Sequence, residues 1–482
     1  MVITTYPFVS GKYLVAGEWI QGEKKTSVIN PADHQEVVGE VALCTEEHVD
    51  LAITAAAKAF ETWSGSEVED RANRMKLAAD EIKASIEENV TLLIRENGKV
   101  LVEAKKDLLR CVDIMKEAAD ELLEWWKPES IPGSQKVQIR KRPRGVTAVI
   151  SPWNSPMILT FKRVIPAVLA GNTVVVKPAT SCPLTIMSFL KIVATYLPEG
   201  VINVVTGSGG VIGNKLCSDP RIRTIAFVGS TETGKEIMRA ASGTVKNVYM
   251  ELGGNDAAII LEDVILDESA IKRLRFGILR AAGQVCSAIK RIYVHESRYA
   301  ELTEKLRKEF QHIKVGNGIQ PDAEMGPLNN KAQYEYVNGL IERARKSGAT
   351  VITGGIQLDP ESWDKGYFIL PAIITDVDQK SEIVRAEQFG PVIPILPFNE
   401  DEEVISLAND SEFGLRASVW TENESKAIEF ADRLEAGAVF HNNHTVFQDL
   451  HLDFPGLKES GLSRETRHCG LEFFADSYGF AN

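Results

Sequence analysis

One cysteine of the chain lies among small residues that would leave its sulfur accessible. The stretch Gly283–Ala288 reads Gly-Gln-Val-Cys-Ser-Ala and has Cys286 at its centre. The thiolate is the nucleophilic form of cysteine, so Cys286 could form a covalent intermediate if a base or a positive environment activated it. A cysteine packed in the core gives the same pattern. Cys286 is therefore a candidate nucleophile whose role depends on its partners.

Two other motifs carry groups that such a nucleophile needs. Glu251 would end a strand next to Gly253 and Gly254, where its carboxylate could act as a general base. Asn154 in Ser151–Pro156 (Ser-Pro-Trp-Asn-Ser-Pro) would present an amide donor on a proline-flanked turn, suited to an oxyanion. A surface turn is the alternative for Glu251, and the spacing does not decide between the two.

Two glycine-rich stretches follow expected strands. Gly207–Gly213 departs from the GxGxxG spacing by one residue, so it fits a dinucleotide loop and an ordinary strand-to-helix turn equally well. Gly229–Glu236 resembles an NTPase phosphate loop, but Glu236 stands where a Mg²⁺-binding Ser or Thr is required. Without that interpretation, the stretch predicts a strand that ends at Val228 and a helix that is capped by Ser230. The amides of that helix N-terminus could hold a pyrophosphate.

Composition limits the class of protein. A chain of 482 residues with 44% hydrophobic and 25% charged residues predicts two or three globular domains. Its 67 acidic and 54 basic residues give a net charge of -13, which disfavours nucleic acid and anionic membranes and favours a small-molecule substrate. No targeting pattern or long apolar run occurs, and six cysteines are scattered without paired spacing. A cytoplasmic location is expected.

Hydrophobic periodicity predicts an α/β protein. Helical spacing covers Glu46–Trp63 and Leu101–Trp125. Between Gly145 and Val264, short strands alternate with helices, as in βαβ units with a parallel sheet. The expected strands there are Val146–Ile150, Thr173–Val176, Ile202–Val205, Thr224–Val228 and Ala257–Leu261. Further strands at Arg291–Val294, Ile393–Leu396 and Ala417–Trp420 predict a second α/β domain.

The segment Lys136–Arg144 is unusually basic. It contains Arg140, Lys141 and Arg142, with apolar and polar positions alternating before them. A nucleic-acid patch is one interpretation. The overall negative charge favours an extended charged strand outside the core, which could pair with another subunit.

The order and spacing of seven motifs are similar to those of the aldehyde dehydrogenase superfamily over nearly the whole chain. The motifs are Pro152–Asn154, Lys177–Pro178, Phe227–Thr231, Glu251–Gly254, Gly283–Cys286, Glu387–Pro391 and Lys458–Gly461. The resemblance implies a Rossmann-like NAD(P)-binding domain (1–130 and 145–252), an α/β catalytic domain (253–440) and a small β oligomerisation element (131–144 and 465–482). A homodimer or homotetramer would follow.

The resemblance also implies roles for the candidate catalytic residues. Cys286 would attack an aldehyde to give a thiohemiacetal and then a thioester. Asn154 and the Cys286 amide would hold the oxyanion, and Glu251 would activate the hydrolytic water. The presence of Glu251 argues against a coenzyme A-dependent member. A non-catalytic NAD(P)-binding protein of the same fold is the alternative, which the intact set of three residues disfavours.

The cofactor implied is NAD or NADP. Lys177 would contact the adenosine ribose, Ser230 the pyrophosphate and Glu387 the nicotinamide ribose. NAD-preferring relatives often carry Glu where this chain has Thr180, so discrimination against NADP should be relaxed. The full set of expected cofactor residues is Ile150, Trp153, Lys177, Thr180, Gly209, Gly229, Ser230, Gly234, Leu252, Glu387 and Phe389.

The sequence gives little information about which aldehyde is the substrate. Arg280 and Lys162 fall near positions where relatives oxidising succinate semialdehyde carry arginine, so an anionic aldehyde or a purely structural role is possible for both. The stretch 443–446 with Asp449 resembles members acting on aromatic aldehydes instead. The tail at 453–457 departs from the usual Pro-Phe-Gly-Gly, which changes the expected substrate entrance. His441, His444 and His451 lack a complete ligand set, so no metal is expected.

Overall fold

The computed structural model describes residues 7–130, 137–444, 455–462 and 468–481. The helices, in chain order, are α1 Glu46–Trp63, α2 Val68–Ala84, α3 Ile86–Asn97, α4 Leu101–Trp125, α5 Pro156–Leu169, α6 Leu184–Thr195, α7 Asn214–Ser218, α8 Thr231–Ser242, α9 Glu268–Leu279, α10 Glu296–Gln311, α11 Lys331–Lys346, α12 Glu382–Arg385, α13 Asp401–Asn409 and α14 Glu424–Arg433. Short 3₁₀ turns cover Arg280–Gly283, Pro360–Lys365 and Leu471–Phe474, and a π-helical turn covers Gly209–Gly213.

The strands follow the same chain order. They are β1 Lys12–Val15, β2 Glu18–Gln21, β3 Lys25–Asn30, β4 Asp33–Ala42, β5 Glu129–Ser130, β6 Val137–Pro143, β7 Val146–Ile150, β8 Thr173–Lys177, β9 Ile202–Val204, β10 Ile222–Val228, β11 Asn247–Glu251, β12 Asp256–Ile260, β13 Ile289–His295, β14 Lys314–Val315, β15 Thr350–Thr353, β16 Ile356–Gln357, β17 Ala372–Thr375, β18 Val392–Phe398, β19 Phe413–Gly414, β20 Arg416–Trp420, β21 Ala438–His441, β22 Leu457–Lys458 and β23 Ala475–Ala481.

The first large sheet has the order β11-β10-β7-β8-β9-β1-β2. Strands β7 to β11 are mutually parallel, whereas β1 pairs antiparallel with β9 and β2. From β7 the chain runs outward to β8 and β9, then returns to β10 on the other side. The strand order therefore reverses between β7 and β10, and in open α/β sheets ligands bind at such a switch point.

Both faces of this sheet are covered by helices. In β8, Val174 and Val176 pack with residues of α4, α5 and α6. Val175 points to the opposite face and packs with residues of α1 and α7. A strand that is buried on both faces reads as a continuous apolar run, which is why Thr173–Val176 lacks alternation in the sequence.

The second large sheet has the order β15-β17-β18-β13-β12-β20-β21. Its strands are parallel except for β15, which is antiparallel to β17. Within the described ranges, no helix is long and apolar enough to cross a membrane. The α/β fold class expected from the sequence is confirmed.

A small sheet of order β23-β6-β5 carries the basic segment. Strand β6 pairs along its length with β23, from Ala475 opposite Pro143 to Ala481 opposite Val137. The guanidinium groups of Arg140 and Arg142 lie over the rings of Phe480 and Tyr478 on the neighbouring strand. An extended charged strand is therefore confirmed for residues 137–143.

Most predicted elements are confirmed, with one correction. Helices α1 and α4 begin and end at the predicted residues, and β7 matches its predicted bounds. The strand expected at Ala257–Leu261 is β12, and it belongs to the second sheet instead of continuing the first. Strands β1 to β4 precede α1 and were not among the predicted elements. Predictions on 131–136, Asp449, His451, 453–454 and 465–467 lie outside the described residues.

Candidate active site

The carboxyl ends of the first sheet bring most of the expected site residues to one edge. In the strand register Ile150 lies opposite both Phe227 and Lys177, while Val228 lies opposite Glu251. Strands β7, β8, β10 and β11 thus end at nearly the same level. The loops that follow them carry Asn154, Thr180, Ser230 and the two glycines after Glu251, and in open α/β sheets ligands bind at this edge, next to the switch point.

Glu251 lies between the thiol and a buried guanidinium. The Cys286 thiol donates a hydrogen bond to Glu251 Oε1 at 3.4 Å. Arg163 Nη2 donates to Glu251 Oε2 at 2.5 Å, and only 2% of the Arg163 side chain is exposed. The same guanidinium donates to the hydroxyl of Tyr249 at 3.2 Å. Both carboxylate oxygens are therefore oriented, one of them towards the sulfur.

The surroundings of Cys286 favour its protonated form. Burial raises the pKa of the Cys286 thiol well above its ordinary value, and the neighbouring charge of Glu251 raises it further. Lys290 acts in the opposite direction and lowers the pKa of this thiol. A thiol held protonated needs a base at the moment of attack, and Glu251 is the carboxylate in contact with it.

Asn154 and Cys286 are connected through Gln284. Asn154 lies in the turn between β7 and α5 and is 6% exposed. Its Nδ2 donates to the carbonyl of Gln284, two residues before Cys286, at 3.0 Å. A carboxamide nitrogen carries two hydrogens, so one remains available for an oxyanion. Before this carbonyl, Ala281 and Ala282 both have left-handed backbone angles, with φ of 51° and 55°. Such backbone is strained for alanine and is typical of functional loops.

Lys290 belongs to β13, and its ammonium lies inside the preceding loop, which carries Cys286. Its Nζ donates to the carbonyls of Val285 at 2.9 Å and Cys286 at 2.5 Å, and the side chain is 2% exposed. Glu387 Oε1 lies 3.8 Å from this ammonium and accepts a hydrogen bond from the Gly254 amide at 3.1 Å. Burial raises the pKa of Glu387, and Lys290 lowers it. The ammonium thus links the expected nucleophile and the expected ribose-binding carboxylate.

Lys177 suits a polar ligand. It is 7% exposed, and burial lowers the pKa of its ammonium. In the described part of the chain its Nζ has no ion pair or hydrogen bond. A buried ammonium requires polar partners, and the hydroxyls or phosphates of a dinucleotide would supply them.

The N-terminus of α8 is built as the sequence predicted. Strand β10 ends at Val228, and the Ser230 hydroxyl accepts a hydrogen bond from the Thr233 amide at 3.4 Å. Other amides of the first turn have no acceptor within the helix, which suits a pyrophosphate. Gly234 allows α8 to approach the loop after β11, because a Cβ there would lie 2.6 Å from Leu252 Cδ2.

The remaining residues expected to bind the cofactor have fewer contacts with the rest of the site. The rings of Trp153 and Phe389 meet edge to face, with centroids 5.5 Å apart. Gly229 donates its amide to the Glu251 carbonyl at 3.2 Å. Gly209 begins the π-helical turn after β9 and is exposed, and Thr180 follows β8. No hydrogen bond joins these last two to Cys286, Glu251 or Asn154 in the ranges described.

The C-terminal segment 455–462 closes one side of the site. The Leu252 amide donates to the Ser460 carbonyl at 2.9 Å, and Gly461 forms an antiparallel bridge with Glu251. A Cβ at Gly461 would collide with the Met250 carbonyl. Gly461 thus allows this segment to approach closely the strand that ends at Glu251.

Other sequence candidates lie elsewhere or form structural contacts. His441 contacts the Thr421 carbonyl at 2.8 Å, and His444 contacts the Ser418 hydroxyl at 2.9 Å. No group of three His, Cys, Asp or Glu side chains is placed to hold a metal among the residues the structure covers. Arg280 lies over the Phe276 ring at 6.0 Å, in the turn that precedes Cys286.

Sequence reasoning missed Arg163, Gln284 and Lys290 as parts of the site. A signal was present for two of them. Arg163 interrupts the apolar face of α5, and Lys290 lies in β13, where six of the seven positions are buried. A charged residue at a buried position requires a partner, so its presence indicates a polar site nearby.

Comparison with known proteins agrees with this geometry. The aldehyde dehydrogenase family model matches residues 19–477. The chain is 35% identical over 470 residues to α-ketoglutaric semialdehyde dehydrogenase of Bacillus subtilis strain 168, a match that covers 95% of both chains. It is 37% identical over 478 residues to the peroxisomal aminoaldehyde dehydrogenase 1 of Pisum sativum, covering 96% of this chain and 94% of the relative.

A solved structure is similar over almost the whole length. The crystal structure of betaine aldehyde dehydrogenase from Staphylococcus aureus in complex with NAD⁺ aligns with a TM-score of 0.93 and 32% sequence identity. The alignment covers 98% of this chain and 94% of that one. Since the family match, the relatives and the structural alignment all span nearly the whole chain, the chain belongs to the aldehyde dehydrogenase family.

Proposed function

We propose that this enzyme oxidises an aldehyde to its carboxylic acid with NAD or NADP, through a covalent intermediate on Cys286. The observation that carries the proposal is the contact between the Cys286 thiol and Glu251 Oε1, 3.4 Å apart at the switch-point crevice. Among the described cysteines, Cys44, Cys111, Cys182 and Cys217 are buried. Cys182 is hydrogen-bonded to the Glu96 carboxylate, but both side chains are fully buried and so are closed to a substrate, whereas Cys286 is partly exposed.

The first step is the attack of Cys286 Sγ on the aldehyde carbon. A carbon–sulfur bond forms, the thiol proton passes to Glu251, and the carbonyl oxygen becomes an oxyanion. The second Nδ2 hydrogen of Asn154 and the Cys286 amide stabilise that oxyanion. Donors already oriented by the fold need no reorganisation during the reaction, which is the source of their catalytic effect.

Lys177, Ser230 and Glu387 would hold the cofactor through its ribose and pyrophosphate groups, with Trp153 and Phe389 beside the nicotinamide. When bound, the cofactor would supply the hydride acceptor that converts the thiohemiacetal on Cys286 to a thioester. The thioester on Cys286 is then hydrolysed. Glu251 first gives the proton from the thiol to solvent and then takes a proton from water. The hydroxide attacks the acyl carbon, the carbon–sulfur bond breaks, and the proton on Glu251 returns to the sulfur, so that the acid and the thiol are released.

The two large sheets would have different roles. Residues 1–130 and 145–252 would bind the cofactor, and residues 253–440 would carry the nucleophile. Strands β6 and β23, within 131–144 and 465–482, would pair with another copy in a homodimer or homotetramer. Multi-angle light scattering tests this assembly, and a monomer at micromolar concentration would contradict it. A cytoplasmic location is part of the proposal and is tested by cell fractionation.

The substrate class is the open part of the proposal. The relatives are named for a dicarboxylic semialdehyde and for aminoaldehydes, which differ in charge. Arg280 and Lys162 are positively charged and lie within eight residues of Cys286 and Asn154 in the sequence. Their charge favours an anionic aldehyde as the second candidate. Succinate semialdehyde, an aromatic aldehyde and an aminoaldehyde at equal concentration distinguish these classes by kcat/KM.

The test of the proposal measures reduced cofactor by absorbance with that panel, with NAD and with NADP. Wild type should turn over at least one aldehyde, and Cys286→Ala should lose at least about 1,000-fold in kcat. Cys111→Ala, in a buried cysteine of α4, is the control and should retain activity. Activity in Cys286→Ala would contradict the covalent mechanism. The absence of turnover by wild type on every aldehyde would favour a non-catalytic NAD(P)-binding protein.

A further inference from the structure

Buried carboxamides join the loops of Asn154 and Cys286 in a closed ring. Asn97 Nδ2 donates to the Trp153 carbonyl at 2.7 Å. Asn154 Nδ2 donates to the Gln284 carbonyl at 3.0 Å. Gln284 Oε1 accepts a hydrogen bond from the Asn329 amide at 2.9 Å. Asn329 Nδ2 donates back to the Asn97 carbonyl at 3.2 Å, which closes the ring.

The ring is buried throughout. Asn97 and Asn329 are each 4% exposed, Gln284 is 5% exposed and Asn154 is 6% exposed. A buried carboxamide that lost its partner would carry an unsatisfied polar group, so each member constrains the next. Asn97 lies at the end of α3, whereas Asn329 precedes α11. The ring therefore joins parts of the chain that are far apart in sequence.

Close backbone packing holds the Asn97 loop in place. A Cβ at Gly326 would collide with the Gly98 carbonyl, and a Cβ at Gly318 would collide with the Lys99 carbonyl. The Lys99 ammonium forms a buried ion pair with Asp107 in the following helix, α4. The loop after α3 is thus fixed against the segment that leads to Asn329.

From this arrangement we infer that Asn97 and Asn329 are positioning residues, which orient the Asn154 amide against the Cys286 loop and so support oxyanion formation. The inference rests on the proposed roles of Asn154 and Cys286. Neither Asn97 nor Asn329 contacts the reacting atoms. They act by fixing the turn at Trp153 and the side chain of Gln284.

The physical reason lies in the planarity of the carboxamide. One Nδ2 hydrogen of Asn154 points to the Gln284 carbonyl, so the direction of the second is determined by the same plane. Asn97 fixes the peptide that joins Trp153 to Asn154. The backbone N–H of Asn329 fixes the Gln284 side chain, and the Asn329 carboxamide holds that N–H in place through its bond to the Asn97 carbonyl. If either carboxamide is lost, the second hydrogen moves relative to the Cys286 sulfur. Misplacement by about 1 Å lowers rates by roughly 100-fold.

The experiment compares two reactions of the same thiol in Asn97→Ala and Asn329→Ala. 4-Nitrophenyl acetate acylates Cys286 without cofactor: the carbon–sulfur bond forms through an oxyanion, the thiol proton passes to Glu251, and 4-nitrophenolate leaves. Iodoacetamide alkylates the same sulfur with loss of iodide and forms no oxyanion. Matched controls are Asn89→Ala, a buried asparagine of α3 bonded to the Ser85 carbonyl, and Asn338→Ala, a half-buried asparagine of α11 bonded to the Tyr334 carbonyl.

We expect both ring variants to lose roughly 10- to 100-fold in acylation rate and in kcat/KM for the aldehyde, while the alkylation rate stays within about twofold of wild type. Both controls should change the melting temperature without separating the two reactions. Unchanged acylation in either ring variant, or an equal loss in acylation and alkylation, would overturn the inference.

A double substitution tests whether Asn97 acts through Asn154. In an Asn154→Ala background, Asn97→Ala should lower acylation by no more than about twofold, because the group it orients is already absent. A full additional loss would contradict the inference. Failure of the proposed function is distinguishable, because it would appear as wild-type protein in which neither reagent reacts at Cys286.

Discussion

Arg163 donates a hydrogen bond to Glu251 Oε2 at 2.5 Å from inside α5, and it does so beside the thiol of Cys286. The guanidinium is held by other groups as well, since it lies over the Tyr249 ring at 4.9 Å and donates to the Leu159 carbonyl at 3.3 Å. Arginine stays charged at all physiological pH values. Next to Glu251, which we propose transfers protons, the role of Arg163 would therefore be orientation and not proton transfer.

Replacing Arg163 by methionine should lower kcat by roughly 10- to 100-fold, because Glu251 would lose the partner that aims its second oxygen away from the sulfur. Steady-state kinetics with the best aldehyde measures this loss. Arg74→Met, which breaks the exposed ion pair with Asp70, is the matched control and should leave kcat unchanged. A kcat for Arg163→Met within about twofold of wild type would show that Glu251 needs no such partner.

Two substitutions should move the titration of Cys286 in opposite directions. Burial and Glu251 raise the pKa of this thiol, and Lys290 lowers it. Glu251→Gln removes a negative charge, so the thiolate becomes easier to form and the pKa should fall. Lys290→Met removes a positive charge, so the pKa should rise. The midpoint of the iodoacetamide alkylation rate against pH measures both shifts, and a shift of the two variants in the same direction would contradict this electrostatic assignment.

Glu251→Gln should also separate the two halves of the reaction. The amide oxygen can still accept from Arg163, but the side chain can no longer take a proton from water. Attack by the thiol should slow as well, because glutamine cannot take its proton, but the loss of the negative charge eases thiolate formation and partly offsets this. Hydrolysis of the thioester should slow more, by roughly 100- to 10,000-fold, so that a burst of about one reduced cofactor per active site precedes slow turnover. Rapid-mixing absorbance measures the burst. Glu459→Gln, which weakens the ion pair with Lys235 near the same edge, is the control.

We expect the buried carboxyl group of Glu96, which is not a catalytic group, to make the stability of the fold depend on pH. It is fully buried and accepts hydrogen bonds from the amides of Leu184 and Thr185 at the start of α6. Burial raises its pKa from 4.5 to about 7 despite these bonds. The folded state therefore binds this proton more tightly than the unfolded state does. Its contribution is present below pH 4.5 and is lost as the pH rises through 7, on the order of 3 kcal/mol in total.

Glu96→Gln cannot ionise, so its melting temperature should fall less than that of wild type between pH 5 and pH 8. The variant loses one acceptor for the two amides, so its stability at pH 5 should be lower than that of wild type. Glu88→Gln, an exposed position of the same helix α3, is the control and should keep the wild-type slope. Equal slopes for all three proteins would mean that Glu96 stays ionised in the fold.

Thr180→Glu should weaken the use of NADP more than the use of NAD. The side chain follows the Lys177 end of β8, and a carboxylate there would repel a 2′-phosphate while it accepts from ribose hydroxyls. The ratio of kcat/KM for the two cofactors measures the change. Ser181→Glu, one residue further along the loop, is the matched control. Unchanged relative kinetics in Thr180→Glu would refute the assignment of this position to the ribose.

The sequence was sufficient for elements that depend on local chemistry. Ser230 follows a strand and precedes an amphipathic run, so the helix cap was predictable from neighbouring residues alone. The same holds for α1 and α4, whose apolar positions recur with the helical period. Strand β12 was assigned to the wrong sheet, because an apolar run does not reveal which sheet buries it.

By itself, the sequence determined which residue types were available for chemistry: a cysteine among small neighbours, a carboxylate at a strand end and an amide on a proline-flanked turn. Only the tertiary structure decided that Arg163 orients Glu251, that the Lys290 ammonium lies inside the Cys286 loop, and that Asn97 and Asn329 close a ring around Asn154. The reason is physical. A hydrogen bond or an ion pair depends on distances of about 3 Å between groups that can be hundreds of residues apart, and only the packing of both sheets sets those distances.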